Sequence, residues 1–187
     1  MTEEIATVIE ILKKGGTILY PTDTIWGLGC DATNPKAIDR VKKIKRRAVE
    51  KNFILLLGNK EQLLDYVENV PDIAFDLIQS YDNPLTIIYP KAKNLPEAAY
   101  ADDGSVAIRI VKHHFCTELL SIFRKPIISS SANISGESAP LSFNKISPHI
   151  IEEVDYAVSL YHDEINCYKA STLIKIDDHG LFEVIRD

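Results

Sequence analysis

An excess of positive charge is missing from this chain: 21 Lys and Arg stand against 27 Asp and Glu, a formal net charge of −6. Broad electrostatic capture of nucleic acid needs the opposite balance, because cations must displace counterions from phosphates. A local basic patch stays open. Cysteine is scarce as well. Cys30, Cys116 and Cys167 are odd in number, widely spaced and without a Cys-x-x-Cys pair, which argues against a disulfide framework or a structural zinc site and fits a reducing cytoplasm. No apolar run approaches the roughly 20 residues that span a bilayer, and the acidic, amphipathic N-terminus is no targeting leader. Neither a Walker-type phosphate loop nor Gly-x-Gly-x-x-Gly occurs, so any nucleotide is held by another device. Internal repeats are absent.

What is present suits one globular domain over residues 1–187, long enough for a single core and without a Pro/Gly/Ser-rich linker. Ile5, Val8, Ile9 and Leu12 recur at helical spacing before Gly15-Gly16, a pair suited to ending a helix. Thr17-Ile18-Leu19-Tyr20 reads as a buried strand that Pro21 delivers into a loop. Asn34-Pro35 reads as an N-cap followed by proline at the first helical position, with Ala37, Ile38, Val41 and Ile44 as the apolar face. Phe53-Ile54-Leu55-Leu56-Leu57 is apolar throughout, as in a strand covered on both faces, and helical patterns flank Pro71. Further strands are expected at Leu85–Tyr89, Val106–Ile110, 127–129, Thr172–Ile176 and 182–185, and a helix at His114–Phe123. Strands mixed with helices, and a strand-rich C-terminus, imply an α/β (α+β) fold: a twisted open mixed sheet flanked by helices.

Three stretches carry chemistry. Pro21-Thr22-Asp23-Thr24-Ile25-Trp26-Gly27-Leu28-Gly29 puts hydroxyls, a carboxylate and glycines at the end of a buried strand. That is a rigid place to present polar groups, or else a turn satisfying its own backbone. Lys42-Lys43-Ile44-Lys45-Arg46-Arg47 sets five cations in six residues. They either complement a helix C-terminus or turn Lys45 and Arg47 inward to phosphates. Pro126-Ile127-Ile128-Ser129-Ser130-Ser131-Ala132-Asn133-Ile134-Ser135-Gly136 holds more hydroxyls than a turn needs, and gathered amides and hydroxyls after a strand favour an anion site. Arg109 interrupts an apolar strand, so it faces solvent on an edge or a polar cleft. Ser171-Thr172 and Arg186 are similarly placed on the last two strands. His113 and His114 would point about 100° apart on a helix and read as surface residues. Asp102-Asp103-Gly104 reads as a turn, and no metal site is assigned to protein side chains.

Segments 16–29, 44–57, 84–86, 105–109, 126–136 and 171–172, in that order, resemble the YrdC-like threonylcarbamoyl-AMP synthase family in its short, single-domain form. The most specific parts are Pro-Thr-Asp-Thr-x-Trp-Gly-Leu-Gly, Lys-x-Arg and Ser-Ala-Asn-x-Ser-Gly. The resemblance implies a soluble, cytoplasmic nucleotidyltransferase with a YrdC-like fold. It would make threonylcarbamoyl-AMP and pyrophosphate from L-threonine, bicarbonate and ATP, with Mg²⁺ accompanying the ATP. The product would serve a threonylcarbamoyl transferase machinery that modifies tRNA. Carried over by position, Lys45 and Arg47 become the catalytic electrostatic pair. ATP contacts fall on Lys45, Arg47, Lys51, Ser105, Ser131, Asn133 and Arg186. Threonine contacts fall on Thr24, Arg109, Ser129 and Ser171. Ala48, Lys51, Leu56 and Ala139 depart from commoner family residues. Competing readings are an RNA-binding module of the same fold with weak or lost catalysis, and a carbamoyl-adenylate former that uses carbamoyl phosphate.

Overall fold

The computed structural model describes residues 1–46, 53–163 and 170–187. Helix α1 (Thr2–Lys13) buries Ile5, Val8, Ile9 and Leu12, the face read from their spacing. It ends where Gly15 takes a left-handed φ of +78°. Strand β1 (Ile18–Tyr20) follows, entirely buried. Helix α2 (Pro35–Ile44) is capped by the Asn34 side chain, which accepts from the Lys36 and Ala37 amides, and its buried face is the expected Ala37, Ile38, Val41 and Ile44.

One difference from the sequence reading decides the site's shape. Gly27-Leu28-Gly29, expected as loop, is strand β2 (Gly27–Gly29), antiparallel to β1 on one side and to β6 (Ile127–Ser131) on the other. Glycine permits that placement: a Cβ on Gly29 would lie 2.1 Å from the Ile128 carbonyl oxygen. Two low-propensity glycines hid the strand, because packing and not propensity formed it.

The remaining elements are β3 (Ile54–Leu57), α3 (Leu63–Tyr66), α4 (Asp72–Ser80), β4 (Leu85–Tyr89), β5 (Val106–Ile110), α5 (His114–Phe123), α6 (Pro148–Glu153), β7 (Tyr156–Ala157), β8 (Thr172–Ile176) and β9 (Phe182–Arg186). The strands form one mixed sheet in the order β7-β1-β2-β6-β3-β5-β4-β8-β9. Pairs β1/β7, β3/β5 and β4/β8 are parallel, and the others antiparallel. Every expected strand forms. The short β7 went unseen because two residues carry no readable period.

Register explains where the core and the site lie, since directly paired residues share a face. Ile128, Leu55, Ile108, Ile87 and Ile174 pair in succession across five strands and are all buried. One position along each strand, on the opposite face, runs Ile127, Leu56, Arg109, Thr86, Leu173 and Arg186. The first row is core; the second is half polar. At the end of the sheet, β9 leaves Phe182, Val184 and Ile185 exposed.

Candidate functional site

A cavity of about 500 Å³ opens on the face that carries Arg109. Its floor is the paired run Ser129, Ile54, Ala107 and Ile88 together with Leu173, and none of the Ile128 row lines it. Its rim comes from the two loops singled out in the sequence, including Thr22, Thr24, Trp26, Ser131, Asn133 and Ser135, and from Lys45, Ser171 and Arg186.

At one end stands Arg109, 5% exposed. One guanidinium nitrogen donates to Thr24 Oγ1 at 3.2 Å and another lies 3.4 Å from the Asp23 carboxylate. Thr22 steadies that loop: its hydroxyl donates to the Ile25 carbonyl at 2.7 Å and sits 3.0 Å from Thr24 Oγ1. Thr86, paired with Arg109 across the sheet, has its hydroxyl 2.7 Å from that of Ser171. Arg186 closes this end by donating from Nε and a terminal nitrogen to the Ser171 carbonyl at 3.2 and 2.9 Å. A buried cation ringed by hydroxyls suits a small molecule with a carboxylate and a hydrogen-bonding side chain.

At the other end stands Lys45, the one of the two cations singled out in the basic segment that falls within the described residues. It caps α2 but is only 3% exposed, turned inward and not solvated. Its ammonium donates to the Asn133 carbonyl at 2.7 Å and to the Ser131 carbonyl. The Lys45 carbonyl in turn accepts from the Ser135 amide at 2.9 Å, which ties the helix end to the serine-rich turn. Asn133 spends its amide nitrogen on the Ile134 and Glu137 carbonyls at 2.9 and 2.8 Å. Its Oδ1 stays buried without a hydrogen-bond partner, as do Trp26 Nε1 and Arg109 Nε. Left unpaired, such an atom costs about 1–3 kcal/mol, which a hydrogen bond to a polar ligand or to ordered water offsets.

Of the residues selected from sequence, Thr24, Lys45, Arg109, Ser129, Ser131, Asn133, Ser171 and Arg186 meet in this one cavity. Ser105 is buried just before β5 but stands outside the lining, its amide held by Asp103 Oδ1 at 2.9 Å. Arg47, Ala48 and Lys51 lie outside the described residues. Ala139 lines the cavity, and Leu56 is buried beside Arg109. Asp102-Asp103-Gly104 is the expected turn, with Gly104 at φ +83°. His114 is exposed, whereas His113 is half-buried with its ring 5.2 Å from that of Tyr161.

Sequence reasoning passed over Thr22, Trp26 and Thr86 as individual site residues. Thr86 carried a usable signal, since it interrupts an apolar strand just as Arg109 does. The described cysteines offer no nucleophile, because burial pushes the Cys30 and Cys116 thiols well above their ordinary range. The Tyr20 phenol beneath the loop is raised for the same reason. Among the described residues no three His, Cys, Asp or Glu side chains gather where they could hold a metal ion, and no helix is long and apolar enough to cross a membrane.

Fold and site together define an α/β protein with a cavity on one face of a mixed sheet, lined by a buried arginine, a buried lysine and several hydroxyls. The Sua5/YciO/YrdC family model, described as telomere recombination, matches residues 10–187. This chain belongs to that family. It is 39% identical over 157 residues to the threonylcarbamoyl-AMP synthase of Pseudoalteromonas translucida, an alignment covering 82% of this chain and 84% of the relative. The structure of E. coli YciO superposes with a TM-score of 0.83 at 25% identity, over 100% of this chain and 92% of that one. The structure of P. abyssi Sua5 complexed with L-threonine superposes with a TM-score of 0.84 at 26% identity, over 92% of this chain. Our chain spans 50% of the length of that Sua5.

Proposed function

We propose that this chain is an L-threonylcarbamoyladenylate synthase, a nucleotidyltransferase that converts L-threonine, bicarbonate and ATP into threonylcarbamoyl-AMP, pyrophosphate and water. The observation that carries the reading is one cavity with two differently equipped ends. The Arg109 end, with Thr24, Ser129 and Ser171, takes threonine. Arg109 meets the carboxylate and the hydroxyls meet the side chain. The Lys45 end, with Ser131 and Asn133, takes the nucleotide, and Arg186, which lines the same cavity from the Ser171 side, is assigned to ATP by its position in the sequence. Ser105, Arg47 and Lys51 are assigned to ATP from the sequence motif alone.

Threonine's amine and bicarbonate condense to a carbamate with loss of water. A carbamate oxygen then attacks the α-phosphorus, and pyrophosphate leaves with the bond between the α- and β-phosphates. The carbamate is already a nucleophile, so the protein's task is positioning and charge stabilisation. Lys45 supplies a buried positive charge already oriented by two carbonyls. Mg²⁺ would accompany ATP's phosphates and neutralise part of their charge; the described lining supplies hydroxyls and an amide but no carboxylate to hold it. The product is an activated acyl group for a downstream transferase acting on tRNA, and cytoplasmic placement fits the free buried Cys30 and Cys116.

Incubation with ATP, bicarbonate and labelled threonine should yield labelled threonylcarbamoyl-AMP, with no pyrophosphate release when threonine is omitted. Lys45→Ala and Arg47→Ala should each cut adenylate formation severely while far-ultraviolet circular dichroism stays unchanged. Near-normal pyrophosphate release by both variants would refute their roles. The reading as an RNA-binding module loses ground on Lys45, because that cation of the basic segment is turned into the cavity and away from a surface partner.

A further inference from the structure

We infer that Asp23 is a positioning residue for threonine: it sets the Arg109 guanidinium from behind, without touching the ligand. This rests on the reading of Arg109 as the carboxylate partner. Asp23 is absent from the lining of the cavity, although its neighbours Thr22 and Thr24 are part of it. Only 11% of its side chain is exposed, and it faces Arg109 as an ion pair at 3.4 Å. Its Oδ1 has no hydrogen bond, so charge and not a shared proton joins the two groups. Its other oxygen accepts from the Lys112 amide at 3.1 Å, which anchors the loop to the end of β5, the strand that carries Arg109. The Lys112 ammonium continues outward to the Tyr81 and Asp82 carbonyls at 2.6 and 3.4 Å. Asp23 is therefore held by the segment that directly follows the strand whose arginine it steers.

Two contacts then define the guanidinium plane: Asp23 at one terminal nitrogen and Thr24 Oγ1 at the other. A planar fork clamped at two points turns its remaining donors in one direction, and Arg109 Nε is a donor left without a partner. The carboxylate also offsets the cost of an arginine inside the sheet. An uncompensated guanidinium there would seek water or another anion. A glutamate, one methylene longer, keeps the charge but shifts the fork. Asparagine keeps the shape and the bond from Lys112, but loses the charge that faces Arg109.

The test is a double-mutant cycle with threonine and ATP titrated separately. Asp23→Asn should raise the KM for threonine roughly tenfold, the size expected of contacting residues, and leave that for ATP within about twofold. Asp23→Glu should recover part of the loss. In an Arg109→Met background the same Asp23→Asn change should move the threonine KM less than about twofold, because the residue acts through Arg109. Equal effects on both substrates, or additive effects in the cycle, would overturn the inference. A second readout needs no substrate. Nitrogen-15 spectra of the wild type should show slowly exchanging Arg109 guanidinium resonances that merge in Asp23→Asn. Unchanged resonances would overturn the inference even if the wild type formed no adenylate, an outcome that would separately sink the assigned activity.

Discussion

Two neighbouring rows of the same sheet behave as opposites. Ile128, Leu55, Ile108, Ile87 and Ile174 make an apolar line, while one residue along each strand the row Ile127, Leu56, Arg109, Thr86, Leu173 and Arg186 is half polar. The strands are shared, so propensity and backbone pairing are the same for both. What differs is the face. One side is pressed into the core and contributes stability by removing apolar surface from water. The other keeps a cavity, and its polar groups are fixed by strands that the first side holds rigid. Stability and ligand recognition should therefore separate by side-chain parity along a strand.

The sharpest way to break that separation is at β2, which borders the cavity while threading between β1 and β6. Gly29→Ala should destabilise the fold by on the order of 3 kcal/mol or more, since the new methyl would meet backbone that cannot rotate away. Urea unfolding measures it, and near-wild-type stability would show that β2 has room to shift. Next, Ile108→Ala on the core side should cost about 2–5 kcal/mol yet leave the threonine KM unchanged. Its neighbour should do the reverse. Ala107→Leu, placed on the cavity floor between Ile54 and Ile88, should weaken substrate binding about tenfold, equivalent to about 1.4 kcal/mol, with the unfolding midpoint little changed. If both substitutions moved stability and binding together, the division by face would be wrong. The smallest effect belongs to the sheet edge: Phe182→Ser, at an exposed position of β9, should stay within about 0.5 kcal/mol in a thermal melt.

Much of this molecule was legible before any coordinates. The α1 and α2 faces followed from apolar spacing, the Asn34 cap from an N-cap and Pro signature, and the central strands from short apolar runs. Eight of the selected site residues line one cavity because strand ends and hydroxyl-rich loops are where a sheet can display polar groups. Other features could not be read. β2 is two glycines around a leucine, and only its pairing between β1 and β6 makes it a strand. Whether Lys45 served a helix terminus or a pocket was undecidable locally, since both fit the same six-residue basic run.

The amino-acid order by itself determined most of the elements, the mixed character of the sheet and the family, because each rests on periods, caps and motifs written in neighbouring residues. Tertiary structure alone decided which cation turned inward, which face kept the cavity and which carboxylate stands behind Arg109. Those outcomes depend on register and on side chains 85 or more positions apart coming within about 3 Å, as Thr24 does with Arg109, and long-range pairing leaves no local trace.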